Sequence, residues 1–475
     1  MIPLTLSEVA SVTGGSHTGA DDRVGAVVTD SRAVTEGALF AAFGGAHVDG
    51  HDYVAAALEA GAAGALVSRP VAGVDPRALV QVDDVAAALG RLARHALAEL
   101  RRRRAEEDPD HPLRVVAVTG SYGKTTTKDL LASLLAPLGE VVAPPGSFNN
   151  EIGLPLTVLR ATETTAALVL EMGADRIGNL TYLTSIAPPD VAVVLAVGRA
   201  HLGEFGGIDN VARAKSELVA GLAEGGTAVL NADDPRVAAM ARVAAGREVL
   251  TFSRAAGTRA DVRAEDVDLD EAGHPRFRLV TTRGSAPVNL ALVGEHHVGN
   301  ALAAAAVADH LGVGLDVVAG ALASAGAASP HRMAVTDRAD GIRVIDDAYN
   351  ANPDSVRAAL RALDRLAAGR RRIAVLGEML ELGDDSETEH AALGAEVAAD
   401  LLITVGAAAT PLARAARLGG TEVVETPDTA GARAVLDAHL RAGDVVLIKA
   451  SNGTGLWRLA DDLVAGADRA RGESA

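Results

Sequence analysis

Cysteine is missing from this 475-residue chain altogether. That excludes a disulfide framework, a thiol nucleophile and a cysteine-ligated metal. Aromatic residues are only 2% of the chain, so alanine, valine and leucine must do most of the packing. Long hydrophobic runs are absent too: Val191–Val197 and Ala301–Ala308 are well short of the roughly 18 residues that a membrane span needs. The first residues lack a basic start followed by an apolar core, so no signal peptide is expected. Lysine is nearly absent. Of 44 basic side chains only Lys124, Lys128, Lys215 and Lys449 are lysines, the rest being arginine. Such a chain keeps lysine either by chance or where a compact, titratable amine is required.

What is present is ample for packed cores. Hydrophobic residues make up 49% of the chain, and 62 acidic side chains outnumber the basic ones to give a net charge of −18. That balance argues against a general nucleic-acid or anionic-membrane binder, while leaving room for a local basic site. A soluble cytoplasmic protein is expected. At about 150 residues per domain the length suggests roughly three domains. Residues 1–112 alternate short apolar strands with Ala-rich helical stretches and end in Arg101–Arg104, read as a solvated helix terminus followed by a linker. Residues 113–328 open on the strand Leu113–Val118, continue through strands Ala167–Leu170, Val191–Val197 and Ala228–Leu230, and add β-rich segments Phe277–Thr282 and Val288–Val293. Residues 329–475 restart the strand–helix alternation in a Rossmann-like pattern without the dinucleotide glycine fingerprint. The expected fold class is α/β throughout, with largely parallel sheets.

The strongest motif is Gly120-Ser121-Tyr122-Gly123-Lys124-Thr125-Thr126, between a strand and a helix. Its glycines let backbone N–H groups turn toward phosphate oxygens at a helix N-terminus. Lys124 would neutralise the outer phosphates and the Thr125 hydroxyl would ligate Mg²⁺. Lys128, one turn further on, reads as a solvated helix lysine. Ligands of α/β sheets gather beyond the carboxyl ends of strands, where Glu171 and His201 stand. Taken singly, each also reads as a cap or a core-satisfied group. Beside a phosphate loop they suggest metal sites, and Lys215, close to His201 in sequence, joins them.

Together these motifs resemble the Mur ligase family of ATP-dependent amide-forming enzymes of peptidoglycan precursor synthesis. The likeness runs through Thr29-Asp-Ser-Arg32, Gly45 to His51, the phosphate loop, Phe148-Asn-Asn-Glu-Ile-Gly-Leu-Pro155 and Glu171-Met-Gly-Ala174. It continues through Ala200-His-Leu202, Ala214-Lys-Ser-Glu217, Gly294 to Asn300, Asp346-Asp-Ala-Tyr-Asn-Ala-Asn-Pro353 and Gly377 to Gly383. Within the family it is greatest to members that add D-alanyl-D-alanine to UDP-N-acetylmuramoyl-tripeptide, which become the expected substrates. The resemblance implies roles residue by residue. Ser31, Arg32, Asp49 and His51 would hold the uridine diphosphate end of the substrate, and Asn149 and Asn150 would face the muramoyl-peptide. Thr125, Glu171, His201 and a carbamylated Lys215 would serve two Mg²⁺ ions, with Lys124 as the catalytic phosphate lysine. Asn300 would contact adenine, Arg332 a phosphate, and Asp347 the ribose, with Tyr349 and Asn350 beside it. Lys449 would lie near the incoming dipeptide. Ala196, Asn179, His297 and Asn452 depart from the usual family residues. A monomer is expected, with no nucleic-acid partner.

Two other readings compete: another ligase of the same superfamily, or a P-loop ATPase used as a switch or motor. The ATPase would hydrolyse ATP with no amine present. A ligase needs both of its other substrates.

Overall fold

The computed structural model describes residues 1–45, 48–198, 205–326 and 328–472. Among them, strands form three main sheets and a two-stranded ribbon. No described helix is long and apolar enough to cross a membrane. The N-terminal sheet is parallel, in the order Ala26–Val28, Ala38–Ala41, Gly64–Val67, Leu79–Gln81.

A 23-residue helix, Val85–Glu107, carries the chain from this sheet toward the centre. Asp84 caps it by accepting the Ala87 N–H at 2.8 Å. Its buried residues Val85, Leu89, Leu92, Ala96 and Leu100 recur at helical spacing and pack into one core with Leu154, Val158, Leu183 and Ile186 of the central domain. Each leucine buried this way contributes about 1.5–3 kcal/mol. The arginines at its end are tethers rather than a solvated terminus. Arg101 pairs with Asp190 at 2.9 Å and Arg103 with Glu163 at 2.7 Å, while Arg104 donates to the His111 carbonyl. The helix therefore continues to Glu107, into residues expected to be linker.

The central sheet has nine strands with Arg114–Thr119 in its interior, between Val191–Val194 and Thr165–Glu171, all parallel. Its valines are buried on both faces, as parallel strands covered by helices require. Val262–Leu269, Pro275–Thr281 and Gly284–Asn289 extend the same sheet, the last two pairings being antiparallel. The expected strand Val288–Val293 is thus shifted. A tight turn pairs Thr281 with Gly284, so the ladder ends at Asn289, and Leu290 and Leu292 leave it to pack into the core. Likewise the expected strand Val191–Val197 stops at Val194. Beyond it the Leu195 carbonyl accepts from Asn231 and the Ala196 carbonyl from the Ser121 N–H, which wraps the chain around the phosphate loop.

The C-terminal sheet runs Ala334–Asp337, Arg343–Asp346, Val445–Lys449, Arg372–Gly377, Leu401–Val405, Glu422–Thr426. Its first pair is antiparallel and the rest parallel, with helices on both faces, as the Rossmann-like pattern predicts.

Candidate active site

Strand Arg114–Thr119 delivers the chain into the turn Gly120–Gly123, and helix Lys124–Leu135 follows at once. Gly123 has φ 83°, and a side chain there would meet Asn300 Oδ1 at 2.4 Å, so conformation and space both demand glycine. No side chain caps the helix, which leaves its first N–H groups facing the cleft as an anion cradle. Lys124 folds back to donate to the Gly120 carbonyl at 2.9 Å. Burial pulls its ammonium below the usual lysine range.

Around Thr125 the side chains converge. Its hydroxyl donates to Glu171 Oε2 at 2.9 Å, touches Ser147 Oγ at 2.9 Å, and accepts from Arg332 Nη2 at 2.9 Å. Asn149 Nδ2 donates to the other Glu171 oxygen at 2.8 Å. Glu171 is buried and forms no ion pair among the described residues. A buried carboxylate beside the Thr125 and Ser147 hydroxyls supplies oxygen donors of the kind that suit a hard divalent cation. Ser147 is a member of this cluster that the sequence did not single out. His201 lies outside the described residues.

A cavity of about 790 Å³ extends from this cluster between the central and C-terminal domains. Ser121, Tyr122, Thr126, Asn300, Arg332, Asp347, Tyr349, Asn350 and Lys449 all line it, so the phosphate loop and the C-terminal residues share one cleft. Arg332 arrives from 207 residues away in sequence and lies over the Tyr349 ring at 4.1 Å. Asn300 donates to His297, and the rings of His296 and His297 sit 4.0 Å apart. Burial, then the charges of Lys449 and Arg254, pushes His296 down to about 4, and burial lowers His297 as well. Both are neutral at pH 7.

Several expected residues also make contacts within the fold. Lys449 is buried and gives its ammonium to Asp347 Oδ2 at 2.6 Å and to the Asn350 carbonyl at 2.8 Å, bracing the loop at the edge of the cleft that it lines. Asn150 Oδ1 accepts the Gly153 N–H at 2.9 Å, at the start of helix Gly153–Val158. In the N-terminal domain both ring nitrogens of His51 are engaged: Nδ1 with Asp49 at 2.6 Å, and Nε2 accepting from the Ser68 N–H. Arg32 is paired with Asp30 on an exposed turn, beside Ser31. None of Ser31, Arg32, Asp49, His51 and Asn150 lines the cleft. Lys128 is not solvated. It is buried, and its amine contacts Asp129, Pro144 and Ser329.

Lys215, on helix Ile208–Ala220, is also buried, with no hydrogen-bond partner among the described residues. Burial, and then the charge of Lys124, lowers its amine to about 7. Of the four departures from family pattern, Ala196 and Asn179 act through local hydrogen bonds, Asn179 accepting from the Arg176 N–H. His297 and Asn452 line the cleft.

With this geometry in view, comparison with known proteins is decisive. A Mur ligase middle domain matches residues 118–308, a Mur ligase glutamate ligase domain matches 331–452, and a Mur ligase family catalytic domain matches 23–97. The chain belongs to the Mur ligase family. It is 46% identical to the UDP-N-acetylmuramoyl-tripeptide--D-alanyl-D-alanine ligase of Mycobacterium tuberculosis, covering 98% of both chains. It is 36% identical to the ligase of that name in Escherichia coli, over 88% of this chain and 89% of the relative. Among Mur ligase structures, a crystal structure of MurF from Acinetobacter baumannii superposes with a TM-score of 0.84 at 32% identity, covering 98% of this chain and 99% of that one. A Thermotoga maritima MurF ligase in complex with ADP superposes at 0.77 with 30% identity, covering 94% and 98% respectively.

Proposed function

We propose that this chain is an ATP-dependent ligase that joins D-alanyl-D-alanine to UDP-N-acetylmuramoyl-tripeptide, in the cytoplasm, during peptidoglycan precursor synthesis. The observation that carries this reading is the junction of Lys124, Thr125 and Glu171 with Arg332 of another domain at one cleft. Near-full-length similarity to ligases of that name supplies the substrates.

A carboxylate is a poor electrophile and needs activation before an amine can displace its oxygen. The tripeptide's terminal carboxylate oxygen attacks the γ-phosphorus of ATP, the bond to the bridging oxygen breaks, and ADP leaves. The amine of D-alanyl-D-alanine then attacks the acyl phosphate carbon. That attack makes the C–N bond and a tetrahedral intermediate, the amine loses a proton, and collapse breaks the C–O bond so that phosphate departs. Three anions must meet for this. Lys124 and Arg332 supply fixed positive charge at the phosphates, and the helix N-terminus supplies backbone donors. Asn300 and the neutral histidines form the wall assigned to the base, with Asp347 and Tyr349 beside the ribose. Thr125 and Glu171, with His201, would hold Mg²⁺, which when bound neutralises charge on the transferring phosphoryl group.

Lys215 is assigned a carbamate. Its amine, lowered to about 7, is substantially neutral at cellular pH and so able to add CO₂. Conversion to an anion would remove the like-charge conflict with Lys124. Ser31 and Arg32 are assigned to the uridine diphosphate end, on a turn whose Arg32 side chain is 88% exposed. Asp49 and His51 shape the neighbouring segment. Phosphate release measured with each substrate omitted in turn tests the whole reading. Release without D-alanyl-D-alanine, at the full rate, would reduce the protein to an ATPase.

A further inference from the structure

Lys128, like Lys449, is given no task by the phosphate chemistry or the carbamate, and unlike Lys449 it does not line the cleft. Its side chain is buried, and the Nζ lies 2.8 Å from the Pro144 carbonyl, 2.5 Å from Asp129 Oδ1 and 3.4 Å from Ser329 Oγ. The second Asp129 oxygen accepts the Ser329 N–H at 3.0 Å. Two adjacent residues of the phosphate-loop helix therefore grip two distant segments. One, through Pro144, is the loop that sets Ser147 and Asn149 against Thr125 and Glu171. The other, through Ser329, is the strap that enters the C-terminal domain.

That strap carries Arg332. Its neighbours His331 and Met333 both have positive φ, 58° and 52°, a conformation that side chains other than glycine adopt at a cost. Surrounding contacts hold it there. His331 Nδ1 meets Asp346 Oδ2 at 2.7 Å, the Met333 N–H donates to Asp347, and the His331 carbonyl accepts from the Tyr349 N–H. The strap is thus fixed to the central domain at Ser329 and to the C-terminal domain at His331 and Met333. Arg332 lies between the two anchors and reaches Thr125.

We propose that Lys128 and Asp129 form a clamp that positions Arg332 against the phosphate loop, so that Lys128 is a positioning residue of the transfer step. A buried charged pair loses its hydration, and that cost is offset only where close geometry and further hydrogen bonds satisfy both groups, as they do here. A buried salt bridge with three further hydrogen bonds, to Pro144 and Ser329, fixes the strap where a methionine of similar length would leave it free to slide. The proposal rests on the ligase reading only for its turnover measurement.

The test is a double-mutant cycle on the full chain with Lys128→Met and Arg332→Ala, read as kcat for phosphate release and as affinity for a fluorescent ADP analogue. Lys128→Met lowers kcat about tenfold or more in the native background, since small displacements of a charged group are costly in rate. In the Arg332→Ala background the same change costs less than about twofold, because the group it positions is gone. An equal loss in both backgrounds, tracking a fall in Tm, would overturn the proposal and leave Lys128 a stabilising residue. Should Lys128→Met fail to fold, Asp129→Asn removes the charge of the pair with almost no change of volume, Ser329→Ala removes only the hydroxyl contact, and the same two-background comparison decides. If the native protein releases no phosphate with its two substrates, the ligase reading fails on its own. The cycle is then read from analogue affinity alone, where coupling supports the clamp and additivity rejects it.

Discussion

The two walls of the cleft are built by opposite means. On the central-domain wall a contiguous run, Thr119 to Thr126, forms strand end, turn and helix start, and its backbone alone makes the phosphate cradle. The C-terminal wall has no such run. Arg332 sits on a strap, Asp347 and Tyr349 on a loop after one strand, and Lys449 at the end of another, assembled through pairs such as Lys449 with Asp347. A local motif tolerates changes elsewhere in the chain. An assembly of distant pairs does not, and its members fail together.

That contrast can be broken experimentally. Lys124→Ala should produce the largest loss, about 10²–10³-fold or more in kcat, with little change in Tm, because it removes charge from the transition state and no long-range contact. Phosphate release and a melting curve on the same sample check it, and a large fall in Tm would contradict the local character of that wall. Lys215→Ala should nearly abolish turnover and regain part of it with formate or acetate. Because the native amine is lowered to about 7, its neutral form accumulates as pH rises through that value, so native turnover should climb from pH 6 to pH 8. The carboxylate-rescued variant should show no such rise from this group. Full activity of Lys215→Ala in bicarbonate-free buffer would remove the carbamate from the account.

On the other wall, Lys449→Met strands the Asp347 carboxylate, so stability should drop by about 3–5 kcal/mol alongside a higher KM for ATP. Denaturant unfolding and steady-state kinetics together test it. An unchanged Tm with altered dipeptide KM would instead restore Lys449 to the dipeptide site. The smallest effect is expected at Asn150. Replacing it with alanine removes the acceptor of the Gly153 N–H at the start of helix Gly153–Val158 and costs about 1 kcal/mol, with kcat within about twofold.

The same contrast explains what could be read from sequence. Strand–helix alternation and the phosphate loop were legible because their signals are local, and they located the central domain and its cradle. Edge strands Ala334–Asp337 and Glu422–Thr426 were not, because their half-buried, mixed-polarity residues lack a clean alternation. Ser147 gave only a hydroxyl in a Pro-Pro-Gly-Ser turn near the Asn149 motif, a signal too common to single it out. Lys128 was misread for a physical reason. Its buried partners, Pro144 and Ser329, lie 16 and 201 residues away, and no periodicity on its own helix reports them. Lys449 was legible as a site-edge residue from its place at a strand end, while its partner Asp347, 102 residues away, was not. The four lysines thus divide into a phosphate group, a candidate carbamate and two buried braces.

The most direct measurement is phosphate release by the purified protein with ATP and Mg²⁺, adding UDP-N-acetylmuramoyl-tripeptide and D-alanyl-D-alanine separately and together. The account predicts sustained release, matched by UDP-muramoyl-pentapeptide on mass spectrometry, only when both are present. Release at the full rate with either one missing, or with no pentapeptide formed, would contradict it.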